Sequence, residues 1–121
     1  MRRKLLAVLL WGVQGVLALE FLFVGGAKLW GMREMVELFT ALGVGQWFRY
    51  VTGILELTGA VLLLVPGRGR AGAALLATVM FGAMMAHLFV LHHPPTVPGV
   101  LFLLACFVAL GRGGSRPTSR E

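Results

Sequence analysis

LLAVLLWGVQGVLALEFLFVGGA, residues Leu5 to Ala27, decides what kind of protein this is. Its apolar run is broken only by small residues, Gln14 and Glu20. Arg2, Arg3 and Lys4 precede it, and a small-residue site near Ala18 would suit cleavage of a secretory leader. The run nevertheless continues well past the roughly 7–15 apolar residues of such a leader, and more apolar segments follow. About twenty apolar residues span the ~30 Å hydrocarbon core of a bilayer as an α-helix. Leu5–Ala27 therefore reads as a retained first membrane span.

Three more spans follow from the same criterion, at about Trp47–Val65, Ala71–Leu91 and Val97–Leu110. Pro66-Gly67 ends the second. The fourth is short, so it should stand nearly upright, thin the bilayer or borrow length from its flanks, and Pro98 fits its first turn. Composition agrees: 58% of the 121 residues are hydrophobic, more than a soluble domain of this size can hide. Mean hydropathy is +0.85. The expected fold is all-α, a polytopic membrane four-helix bundle forming a single domain over residues 1–111, with a basic tail over 112–121. The lone Cys106 lies inside an apolar run, which excludes an intrachain disulfide framework and a CxxC pair and suits a small packing residue.

Charge orients the chain. The net charge of +6 arises at the ends and in one turn, without the aromatic-interleaved patch that nucleic acid requires, so no nucleic-acid partner is expected. Arg2, Arg3, Lys4, Arg68, Arg70, Arg112, Arg116 and Arg120 would share one side, eight of the eleven basic residues. The positive-inside rule makes that side cytoplasmic, with both termini in the cytoplasm and the chain in the cell (inner) membrane. The connection His92-His93-Pro94-Pro95-Thr96 has no Lys or Arg and belongs outside.

Between spans one and two, Met32, Met35, Val36, Phe39 and Leu42 repeat at helical spacing, while Arg33, Glu34 and Glu37 cluster opposite them. This predicts a short amphipathic helix lying in the outer interface and ended by Gly43, with Trp30 and Trp47 as flanking anchors.

Ionisable groups inside a membrane are costly and usually serve a function, so Glu20, Glu56 and His87 are the candidate site, with Lys28 at the outer end of span one. At ~1.5 Å per residue, Glu20 lies about 10–12 Å below Lys28, Glu56 about 12–14 Å below Trp47, and His87 about 6 Å below Leu91. Three helices thus bring polar groups to the outer half. Thr52, Gly53, Gly59 and Ala60 around Glu56 suit close helix packing, and Gly12, Gly15 and Gly26 offer span one a second small face for tight contact. Met80 and Met84 make an adaptable surface on the same side of span three as His87.

Each of these residues also has a structural reading. Glu56 could be a carboxyl bonded to a neighbouring helix, and His87 a packed imidazole. Lys28 either snorkels to the interface or pairs with Glu20 or Glu56. A metal site is disfavoured because no HExxH or ExxH spacing occurs, and haem lacks an axial pair.

GGAKL at Gly25–Leu29, Leu42-Gly43, GILELTGAVLL at Gly53–Leu63, MFGAMMAHL at Met80–Leu88 and HHPPTVPGVLFLLA at His92–Ala105 occur in this order across the spans. In this the chain resembles the DoxX/DoxD-like membrane proteins, most closely the short DoxX-like branch. The resemblance implies a four-helix membrane bundle and carries over Lys28, Glu56 and His87 as recurrent polar positions. Glu20 is less clearly part of that pattern and stands on its depth alone. The founding members are similar to small subunits of a thiosulfate:quinone oxidoreductase in terminal-oxidase systems, and others are linked to membrane redox assemblies.

This chain has no cysteine pair, haem pair or flavin fold of its own, so it lacks the residues for electron transfer alone and would be at most a subunit of a quinone oxidoreductase. The expectation is an accessory subunit that binds a quinone, quinol or lipid through Glu20, Lys28, Glu56, Met80, Met84 and His87. Quinone is the candidate cofactor and nothing is bound covalently. Membrane lipid is a partner, a membrane or peripheral redox protein is the partner the resemblance implies, and an oligomer is compatible with the composition. Two other classes stand beside it: an assembly or scaffold protein without chemistry, and a small proton-coupled transporter. A buried glutamate in the first span is similar to small multidrug transporters, but their aromatic first-span pattern is absent.

Overall fold

The structure, a computed structural model, describes residues 2–114. Five α-helices account for nearly all of it: α1 Arg2–Trp30, α2 Arg33–Leu42, α3 Trp47–Leu64, α4 Gly69–Ala86 and α5 Thr96–Gly114. A π-helical turn, His87–Leu91, extends α4. Three of these units, Arg2–Trp30, Trp47–Leu64 and Gly69–Leu91, are long and apolar enough to cross a membrane. The segment Thr96–Arg112 is apolar but shorter. This is an integral membrane protein with an all-helical bundle.

The helices alternate in direction, and side-chain contacts at the two ends show it. Leu10 and Gln14 near the start of α1 meet Leu63 at the end of α3, Gly69 at the start of α4, and Gly111 and Arg112 at the end of α5. At the opposite end, Lys28 of α1 meets Glu56 of α3. Arg2, Arg3, Lys4, Arg68, Arg70 and Arg112 consequently gather at one end, called here the basic end, and α2 lies at the other. Arg116, Arg120 and the rest of the tail beyond residue 114 lie outside the described residues.

Phe21, Leu10, Leu17, Leu63, Leu76 and Val108 form a close core along the axis. Around it, large apolar side chains face outward in a continuous coat, including Leu19 at 71% exposure and Leu110 at 78%. Water would leave that surface unsatisfied, whereas acyl chains cover it.

Two expectations about packing change. Gly12, Gly15 and Gly26 were expected at a helix contact, yet a Cβ on any of them would meet nothing within 4 Å. The contact glycine of α1 is Gly25, whose Cβ would stand 3.1 Å from the Gly53 carbonyl oxygen of α3. A second crossing joins α3 to α4, where a Cβ on Gly72 would fall 2.7 Å from the Gly59 oxygen. The segment expected as span four, about Val97–Leu110, is part of a longer helix, because α5 runs from Thr96 through Arg112 to Gly114.

The amphipathic segment does form a helix, and Gly43 ends it in the left-handed conformation at φ 79° with its N–H bonded to Phe39 O and Thr40 O. Its apolar face is used differently from expectation. Met35, Leu38, Phe39 and Leu42 turn onto the bundle and line a partly open cavity there, and Phe39 is buried with its ring 6.0 Å from that of Phe48 in an edge contact. The face shared by these positions covers the end of the bundle.

Candidate ligand-binding site

Side chains on an α-helix lean toward its N-terminus, so two antiparallel helices lean theirs toward each other. Lys28 lies one turn beyond Gly25 in α1, and Glu56 one turn beyond Gly53 in α3. The glycine crossing brings the backbones close, and the two leaning side chains close the gap. Lys28 Nζ donates to Glu56 Oε1 at 2.9 Å, with the pair almost wholly withdrawn from the surface. Of the readings left open by the sequence, Lys28 is the partner of Glu56. Each charge removes much of the other's burial cost, since breaking such a pair would leave a buried ion alone.

Arg49, not anticipated from sequence, fixes this arrangement from above. It is buried in the first turn of α3 and donates through Nη1 to the Lys28 carbonyl oxygen in the last turn of α1. That carbonyl is among those a helix end leaves unpaired, and a guanidinium there also suits the helix dipole. Arg49 Nε donates to Gln46 Oε1 at 2.7 Å and Nη2 to Tyr50 Oη at 3.2 Å. Gln46 in turn donates to Val36 O and Thr40 Oγ1, so α2 is tied to the same network.

Beside the ion pair lies a cavity of about 510 Å³, walled by all five helices and the π turn. Glu20, Lys28, Glu56, Met80 and His87 line it. The cavity therefore joins five of the six residues that the sequence singles out. Glu20 is exposed and stands at its edge, while Met80 is buried in its wall. Met84 is not part of the lining; its methyl approaches α5, 3.9 Å from the position of a Cβ on Gly99.

His87 opens the π turn. Its Nδ1 lies 2.9 Å from Ala83 O, and because a carbonyl only accepts, that nitrogen carries the proton. In the neutral ring Nε2 is then an acceptor. The wide turn also folds the chain back, with the N–H groups of His92 and His93 both reaching His87 O and the His93 ring edge-on to His87 at 6.2 Å. Interruptions of this kind in a helix recur where a side chain must be aimed.

A second polar cluster at the basic end was also missed. Buried Gln14 donates to Leu63 O at 2.7 Å, an end carbonyl of α3, and accepts from Arg112 Nε at 2.6 Å. Arg112 also lies over the Trp11 ring at 5.0 Å. Gln14 fits because Gly69 of α4 has no side chain, a Cβ there falling 2.7 Å from Nε2. An uncharged amide in the span was the available signal.

The sequence pattern of the DoxX-like family matches residues 12–109. The chain belongs to the DoxX-like family. No curated protein and no solved structure matches it. The matched region of this DoxX-like protein contains every residue of the cavity wall and both crossings of the bundle.

Proposed function

We propose that this DoxX-like protein is a multi-pass protein of the cell (inner) membrane with both termini cytoplasmic, and that it binds a quinone or a lipid as an accessory subunit of a membrane redox system. The observation that carries the reading is the cavity itself. Its walls are mostly Phe, Leu, Val and Met, and the paired Lys28 and Glu56, with His87 from the π turn, add polar groups to that lining. Pockets of about 300–1,000 Å³ with apolar walls and a few convergent polar groups suit small organic ligands. An amphiphile fits that division, its head at the polar groups and its tail along the apolar wall. α5 is taken as the fourth crossing, since its end then returns to the side of Arg2, Arg3, Arg68 and Arg70. A catalytic redox partner would supply the electron-transfer centres.

The test is mass spectrometry of small molecules that remain bound after purification in mild detergent. A quinone or one lipid species should be retained by the parent and depleted in Glu56→Gln and His87→Ala. If folded variants retain the same molecule as the parent, the polar cluster is structural and a scaffold role takes its place.

A further inference from the structure

The hydrogen-bonding character of the cavity wall is lopsided. Thr52 and Thr78 both line the cavity, and each spends its single hydroxyl proton on its own helix, on Phe48 O at 2.8 Å and Ala74 O at 2.9 Å. Toward a ligand their oxygens can only accept. His87 spends its Nδ1 proton on Ala83 O and leaves Nε2 as an acceptor. Glu56 engages Lys28 through Oε1, and among the described residues no hydrogen bond reaches its Oε2 or either Glu20 oxygen. At the α5 end of the wall Pro98 has no N–H, while the first-turn N–H of Val97 beside it is a backbone donor outside this side-chain count. Among the lining side chains, donors remain only on Lys28, one of whose three protons is already given to Glu56.

Five side chains from three helices thus offer acceptors and one offers donors. A quinone head carries two carbonyl oxygens, which accept only. A hydroquinone of the same shape carries two hydroxyls, which donate. A buried acceptor facing another acceptor stays unpaired and loses its solvation, and sites built around a hydroxyl reject the analogue lacking it far more strongly than apolar pockets reject a missing methylene.

We propose that the cavity selects an amphiphile whose head donates hydrogen bonds, a hydroquinone in preference to the corresponding quinone. This rests on the amphiphile reading above and specifies the redox state of its ligand. Glu56 Oε2 and His87 Nε2 accept hydrogen bonds from the two hydroxyls, which keep their protons, and the threonine oxygens accept from polar substituents that can donate.

The protein in nanodiscs, equilibrium-dialysed against a decyl-substituted benzohydroquinone, its quinone and its dimethyl ether, and separately against a monoacylglycerol, tests the preference. The hydroquinone should bind at least tenfold more tightly than both, because the ether keeps the shape and removes the donors. Glu56→Gln should reduce that ratio, since the amide presents a donor where an acceptor stood. Thr78→Val is the milder companion that keeps the fold, and it should reduce the ratio less. Equal or tighter binding of the quinone overturns the inference and leaves the amphiphile reading standing. Binding of a monoacylglycerol tighter than that of the hydroquinone overturns the hydroquinone assignment in favour of a hydroxylated lipid. Failure of all the probes to bind overturns both readings.

Discussion

Gly25 and Gly53 face each other across the α1–α3 crossing so closely that a Cβ on Gly53 would stand 3.0 Å from the Gly25 oxygen and 3.1 Å from the Lys28 Cβ. The absence of two side chains is therefore what lets two others, Lys28 and Glu56, reach each other. Gly53→Val should separate the helices, lower stability by about 1–3 kcal/mol as overpacking does, and weaken ligand retention. Gly12→Ala, at a position with open space, should be neutral or stabilise by about 0.5–1 kcal/mol. Thermal unfolding of both in the same detergent checks the contrast, and equal losses would contradict it.

Lys28 and Glu56 should be strongly coupled. Removing one partner, as in Lys28→Met, leaves a buried carboxylate, and about 3–5 kcal/mol is the usual cost. The double variant Lys28→Met, Glu56→Leu should cost less than the sum of the two single changes. A double-mutant cycle on unfolding measures this, and strict additivity would show that the pair does not matter to stability.

Arg49 should not tolerate lysine. Its planar fork reaches Lys28 O, Gln46 Oε1 and Tyr50 Oη together, and an ammonium cannot span those directions. Arg49→Lys should lose about 1–3 kcal/mol and make residues 31–46 more sensitive to protease, because α2 is held partly through Gln46. Limited proteolysis that is unchanged would argue against the link.

The proposed orientation is checked by cysteines at Pro66 and Thr96 in a Cys106→Ala background. Both positions are exposed and lie at opposite ends of the bundle, Pro66 in the α3–α4 connection and Thr96 at the first residue of α5. An impermeant thiol reagent added to intact cells should label Thr96→Cys and spare Pro66→Cys. The reverse pattern would invert the chain in the membrane.

Gln14→Leu should be more damaging than its apolar gain suggests. It leaves the Leu63 carbonyl and an Arg112 donor without this partner, and the expected loss is about 1–3 kcal/mol, read from the unfolding midpoint. A stabilised variant would mean that the amide is dispensable.

Much of this arrangement is written plainly in the sequence. Three of the spans follow from apolar length, α2 from its period and Gly43, and the place of Glu20, Glu56 and His87 on one cavity from their shared half of the bundle. Hydropathy says nothing about which face of a helix meets a neighbour, so Gly12 and Gly15 looked as able as Gly25 to make a crossing. It also cannot show Gln14 or Arg49, because their main partners are the backbone carbonyls of Leu63 and Lys28, which every residue type possesses. Met84 shows the same limit on a finer scale, since one turn beyond Met80 it faces α5 at Gly99.

The bond between Gln14 and Arg112 joins residues 98 positions apart, from the first helix to the last. A ribosome delivers α1 long before α5 exists, so Gln14 enters the bilayer with its amide unsatisfied. Lys28 waits as well, until Glu56 emerges 28 residues later. The nascent chain must shelter these groups at the insertion machinery or against lipid head groups, and its assembly closes only when the last helix, α5, arrives. A ribosome stalled before Arg112 would thus expose an unfinished bundle to membrane quality control.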